Sequence, residues 1–214
     1  MFMISSWGDS KKDIEQVKAA LTKEFKIKLL GPLKYFLGLD VSRTLNVLDV
    51  CQRKYCLELL KDTRHLEPKG CKTPIDTEVR LTSKGTLLEN AEGYKRLVGR
   101  LHYLTITRLD TTFTVHQLCQ YQKTPCVEHM QAAYRVLRYM KPSPDQEIHF
   151  RNEAELTMSG YSDSGWASCS VTLRSITRYC TMFGSSLITW KTKKHNIVSR
   201  SSSEAEYEAF TLGV

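Results

Sequence analysis

Two hundred and fourteen residues, 41% of them hydrophobic, can bury one large core or two small ones, which argues against a disordered chain. Thirty-one lysines and arginines against 23 acidic residues leave a formal charge of +8, which favours an acidic partner such as nucleic acid or an anionic surface. Seven cysteines, odd in number and without a C-x-x-C pair, argue against a disulfide framework or a cysteine zinc site, and no apolar run reaches the roughly 20 residues of a membrane span. The expectation is a soluble, intracellular chain, cytoplasmic or nuclear, with no membrane partner.

In chain order, Ser10 and Asp13 mark a helix start, and Ile14, Val17, Leu21 and Phe25 follow at helical spacing. Gly31-Pro32 breaks that pattern, Leu33 to Val41 reads as a strand paired with a second near Val47 to Gln52, and Tyr55 to Lys61 returns to helix. Residues 66–92, rich in Pro, Gly, Lys, Thr and Glu, form an expected connector. Three amphipathic helices follow: Tyr94, Leu97, Val98, Leu101 and Leu104; then Phe113, Val115, Leu118 and Tyr121; then Met130, Ala133, Val136, Leu137 and Met140. Pro142 and Pro144 end this block. Beyond them the period becomes that of strands, at Ile148 to Phe150, Leu156 to Tyr161, Ile176 to Phe183 and Leu187 to Lys191 with a turn at Gly184, and Ser201 to Phe210 reads as a closing helix. The fold class is α/β in the α+β sense.

Several blocks stand out in order: Gly31-Pro32-Leu33-Lys34-Tyr35-Phe36-Leu37-Gly38-Leu39-Asp40-Val41, Gln52-Arg53-Lys54-Tyr55, the segment from Tyr94 to Leu104, Gly160-Tyr161-Ser162-Asp163-Ser164-Gly165-Trp166-Ala167, Arg174-Ser175-Ile176-Thr177, and Ser199 to Tyr207. In sequence and order they resemble copia-type LTR-retrotransposon Pol proteins. The resemblance implies that residues 1–145 are the C-terminal region of a reverse transcriptase (palm end, thumb and connection) and that residues 146–214 are the N-terminal part of a ribonuclease H-like domain, truncated. Leu109-Asp110, Gly165 and Pro142-Ser143 depart from the family pattern, Gly165 by standing where a second acidic residue is usual.

Polymerases of this family hold magnesium on an aromatic-x-Asp-Asp turn placed before an apolar strand; here Met1 to Ser5 matches the strand, and the turn is expected upstream of it. Ribonuclease H needs several carboxylates around two divalent ions. By resemblance Asp163 is the catalytic and metal-binding Asp of its first strand, and Glu206 the Glu of its first helix, with Glu204 as the register alternative; the other two carboxylates of the set are expected beyond residue 214. Mg2+ is the implied cofactor, weakly held. Lys191, Lys193, Lys194, His195 and Arg200 form a basic run after Trp190, a candidate contact for RNA–DNA hybrid or other nucleic acid through Lys191, Lys193, Lys194 and Arg200. The cationic helix faces carrying Lys95, Arg96 and Arg100, or Arg135 and Arg138, are alternatives for tracking phosphates. His102, His116 and His129 lack ligand spacing and read as structural. Three functions stay open: a catalytically incomplete nucleic-acid-binding piece, a working part of a longer polyprotein, and a domesticated protein-interaction module.

Overall fold

The computed structural model describes residues 11–26, 33–64, 69–76, 81–152, 157–169 and 172–213. The expected strand at Met1 to Ser5, the Ser10 cap, the Gly31-Pro32 break, Leu156, and residues 66–68 and 77–80 of the connector lie outside them. The chain divides into two compact units, residues 1–33 and 34–214. The first contains α1 (Lys11–Glu24), with Ile14, Lys18 and Leu21 half-buried and an exposed Lys18–Glu15 ion pair at 2.8 Å.

The second unit is mixed helix and sheet. Its first sheet is antiparallel in the order β1 (Tyr35–Phe36), β2 (Leu39–Arg43), β3 (Val47–Cys51), β4 (Ile148–Arg151). One strand was expected from Leu33 to Val41; the structure breaks it into β1 and β2. The cause is a two-residue turn in which Leu37 and Gly38 both take positive φ, 48° and 77°, as a tight hairpin requires. Leucine is costly in that region, and the Tyr103 hydroxyl, which donates to the Leu37 carbonyl, holds the turn. A Cβ on Gly38 would come to 3.2 Å from the Tyr103 ring. β4, the Ile148 strand of the expected C-terminal half, lies in register on β3, with Asp49 facing His149 and Val50 facing Ile148.

The helical block consists of α2 (Arg53–Asp62), α3 (Ala91–Leu104), α4 (Thr112–Cys119) and α5 (Val127–Met140), at the places the apolar stripes mark. Leu59, Leu60, Tyr94, Leu97, Val98, Leu101, Leu104, Val115, Leu118, Val136, Leu137 and Met140 form one buried core. Its polar atoms are matched internally: the Tyr94 hydroxyl donates to the Leu118 carbonyl at 2.8 Å, and the Tyr121 hydroxyl to Leu81 at 2.8 Å. Buried His129 accepts from the Cys126 amide at 2.9 Å and so caps α5; burial keeps its imidazole below the ordinary value. No disulfide joins any two of the seven cysteines.

Arg108, 2% exposed, sits at the corner between α3 and a 3₁₀ turn, Leu109–Thr111, that leads into α4. Its Nε and Nη2 donate to the two Asp110 carboxylate oxygens at 3.1 and 2.8 Å, and its Nη1 to the Ser143 carbonyl at 2.7 Å. Burial alone would raise the Asp110 carboxyl, but the guanidinium outweighs it and the carboxyl lies below its ordinary 3.8. The pair therefore stabilises fully above about pH 4 and is lost as pH falls through the lower folded value.

The second sheet, β5 (Met158–Gly165), β6 (Ile176–Phe183) and β7 (Ser186–Lys194), is antiparallel in that order, and α6 (Ser202–Gly213) packs on β5 and β6. Gly184, at φ 57°, forms the β6–β7 turn. Among the described residues no helix is long and apolar enough to cross a membrane.

Removing one partner of the Arg108–Asp110 pair leaves a buried charge unmatched. Asp110→Ala should cost about 3–5 kcal/mol of unfolding free energy at pH 7, read from chemical denaturation, and a loss under 1 kcal/mol would show that the corner does not depend on the pair.

Candidate functional site

Asp163 and Glu206 come from different elements and meet at one strand. Asp163 lies on β5 with its side chain 66% exposed, opposite Arg178, whose Nη1 donates to Asp163 Oδ2 at 2.9 Å. Arg178 in turn stacks over the Phe113 ring of α4 at 4.7 Å. Glu206 reaches back from α6, and its Oε1 accepts from the backbone N–H of Ser164 at 3.2 Å, one residue from Asp163. Glu204 is occupied differently: its Oε2 accepts from the Arg200 amide at 2.6 Å, while its own amide donates to Ser201 Oγ at 3.1 Å, a reciprocal cap that starts α6.

Two carboxylates do not make a two-ion cage. Asp163 already has a guanidinium on one oxygen, and the set of three potential ligands that converges among the described residues is elsewhere, at Asp49, Glu147 and His149. Asp163 and Glu206 thus do not by themselves fit a pair of magnesium ions.

The basic run is split by the strand period. Register pairs Asp163 with Arg178 and Arg178 with Thr192, so these share one face; Ser164, Thr177 and Lys193 share the other, together with Ser162, Tyr179 and Lys191. Lys191 and Lys193 are exposed on that second face, and Arg200 is exposed just before α6. Lys194 points the opposite way, its Nζ 3.4 Å from Gln120 Oε1 of the helical block. Trp190 also turns inward, and its Nε1 donates to the Thr105 carbonyl at 3.2 Å.

His195, grouped with the cations on sequence, is a buried residue. It is 1% exposed, with Nδ1 2.7 Å from Glu208 Oε2 and Nε2 against Thr177 Oγ1, while Ser199 Oγ lies 3.5 Å from both His195 and Glu208. This network ties α6 to β6 and marks the Thr177 face as the one α6 covers, and the Trp166 indole N–H donating to the Ser199 carbonyl at 2.9 Å extends it. Sequence alone gave no sign of it, because a histidine after two lysines looks solvated and its partners lie 18 and 13 residues away.

The fold is mixed helix and sheet, and comparison with known proteins gives its family. Residues 2–77 match the family of reverse transcriptase (RNA-dependent DNA polymerase). The chain is 38% identical over 191 residues to the retrovirus-related Pol polyprotein from transposon RE2 of Arabidopsis thaliana, covering 89% of this chain and 13% of that protein. It is 29% identical over 214 residues to the Pol polyprotein from transposon TNT 1-94 of Nicotiana tabacum, covering 95% of this chain and 16% of that protein. An uncharacterised mitochondrial protein of Arabidopsis thaliana is 32% identical over 205 residues, 96% of this chain and 85% of its own length. The chain belongs to the copia-type, retrovirus-related Pol family of transposons. No solved structure is significantly similar to it.

The His195–Glu208 contact should control α6. Glu208→Ala leaves the buried imidazole without its main partner and should cost about 1–3 kcal/mol, seen as faster amide exchange in residues 202–213 with residues 91–140 unchanged. Unchanged exchange in α6 would show that the helix is held by its buried alanines alone.

Proposed function

We propose that this chain combines the end of a copia-type reverse transcriptase, residues 1–145, with the opening strands and helix of a ribonuclease H-like fold, residues 146–214, and that on its own it binds RNA–DNA hybrid weakly without cutting or copying it. The observation that carries this reading is that Glu206, matched like Asp163 to a ribonuclease H carboxylate, bonds from α6 to the Ser164 N–H next to Asp163 on β5. Phosphate attraction needs only placed cations, whereas hydrolysis needs a full set of metal ligands. Lys191, Lys193 and Arg200 supply cations on or beside the face that α6 covers. Reverse transcriptases use divalent metal ions, and Mg2+ is the ion a pair such as Asp163 and Glu206 would hold loosely. A second reading, the same region working inside a longer Pol polyprotein, is favoured by alignment to only 13% of the transposon RE2 protein.

Fluorescence anisotropy with a labelled hybrid tests the binding. The dissociation constant should be on the order of 1–100 micromolar, and log affinity should fall with log salt at a slope of roughly −3 for three contacts at about −0.9 each. The triple replacement of Lys191, Lys193 and Arg200 by Ala should flatten that slope, while Asp163→Asn leaves affinity unchanged or slightly raised. Salt-independent binding, or none at low salt, would turn the reading towards protein interaction. Hybrid cleavage in Mg2+ that disappears in Asp163→Asn would show that the site is complete.

Copying is expected to be absent, because the sequence contains no Asp-Asp pair to hold a nucleotide's magnesium. Primer extension on a poly-rA template should match a no-protein control, and extension above it would refute this.

A further inference from the structure

The ligand set at the junction of β3 and β4 is separate from everything above. We propose that Asp49, Glu147 and His149 form a binding site for one divalent transition-metal cation, with Zn2+ the best match.

Asp49 and His149 face each other directly in the β3–β4 register, and Glu147 stands two residues before His149, just ahead of β4. The pairing of two strands therefore presets Asp49 and His149, and Glu147 joins them from the residue before β4. One donor atom from each lies within 4.8 Å of the others, and His149 Nδ1 is 2.7 Å from Asp49 Oδ1. Metal–ligand bonds of about 2.0–2.2 Å in a tetrahedral site place donors about 3.3 Å apart, so the His149–Asp49 contact opens slightly and Glu147 closes in, by side-chain rotation alone.

The donor types set the metal. Two carboxylates compensate the charge of a divalent ion, and an imidazole nitrogen favours zinc, cobalt or nickel over magnesium or calcium, which prefer oxygen throughout. This imidazole separates the set from an ordinary patch of surface acids. Three protein ligands leave a fourth position for water. Access is open, since Glu147 and His149 are exposed while Asp49 is largely covered.

An ion here would bridge strands that the sequence separates by almost a hundred residues, so it should stabilise the first sheet rather than touch the hybrid. The site does not depend on the nucleic-acid reading, and neither result decides the other.

Zn2+ added to the full, chelator-treated chain should bind one to one by calorimetry and raise the thermal midpoint by roughly 5–10 °C at a hundredfold excess over its dissociation constant. Mg2+ at the same concentration should do neither. Co2+ should give the visible absorption of a tetrahedral site. Loss of an outer partner alone weakens metal sites about 10–100-fold, so His149→Ala and Glu147→Gln should each weaken Zn2+ at least ~10-fold. Glu147→Gln changes an exposed side chain outside the strand, which keeps the test valid if His149→Ala folds poorly. Asp163→Asn should bind Zn2+ as the unaltered chain does. Binding that survives both His149→Ala and Glu147→Gln at full strength points to the cysteines, and that result, the absence of saturable binding, or a loss confined to Asp163→Asn overturns the proposal.

Discussion

A guanidinium taken out of water has to find its counter-charge and its hydrogen-bond acceptors inside the fold, and Arg108 finds all of them within one corner. Asp110 closes the fork two residues later, the Ser143 carbonyl takes the third bond from beyond the end of α5, and the Tyr139 ring lies 5.6 Å below. These bonds fix where α3 stops, how α4 departs and where α5 ends. Thr107, the preceding residue, donates to buried Gln52 at the head of α2. Each helix of the block is thereby referred to the same few atoms. The second sheet depends on the corner in turn, since Trp190 bonds to Thr105 just before it and Arg178 covers Phe113 just after it.

The helices were legible because a stripe repeated every three or four residues is a local property, and burial in a single core confirms each one from Tyr94 to Met140. The β6–β7 hairpin was legible for the same reason, its two alternating runs being joined by Gly184. The β1–β2 turn was not, because leucine at positive φ gives no turn signal and is held there by Tyr103, which is distant in sequence. His195 misled for a related reason. Its neighbours in the chain are charged and its neighbours in space are Thr177 and Glu208.

The candidate site divides along similar lines. Asp163 and Glu206 could be named from flanking residues, and their approach to one strand follows from α6 folding back over β5. The scattering of Lys191, Lys193 and Lys194 follows from strand alternation, which a run of basic letters hides. Lys194 serves the contact between sheet and helices, so the surface cations are fewer than the run suggests. Asp49 and His149 lie beyond sequence reading altogether, because strand register, rather than spacing, brings them together.

That register also has a history in time. β3 ends at Cys51 and β4 begins at Ile148, so 96 residues separate a strand from the neighbour that completes its sheet. A ribosome adding about 5–20 residues each second leaves β3 as an open edge for roughly 5–20 s while the whole helical block is made. Closing so long a loop is costly in entropy until the helices have shortened the path, so the block must form before the sheet can. During that interval Val47, Leu48 and Val50 present unpaired backbone to any other extended chain nearby, and nascent copies on a crowded message would be each other's nearest competitors for the place of β4.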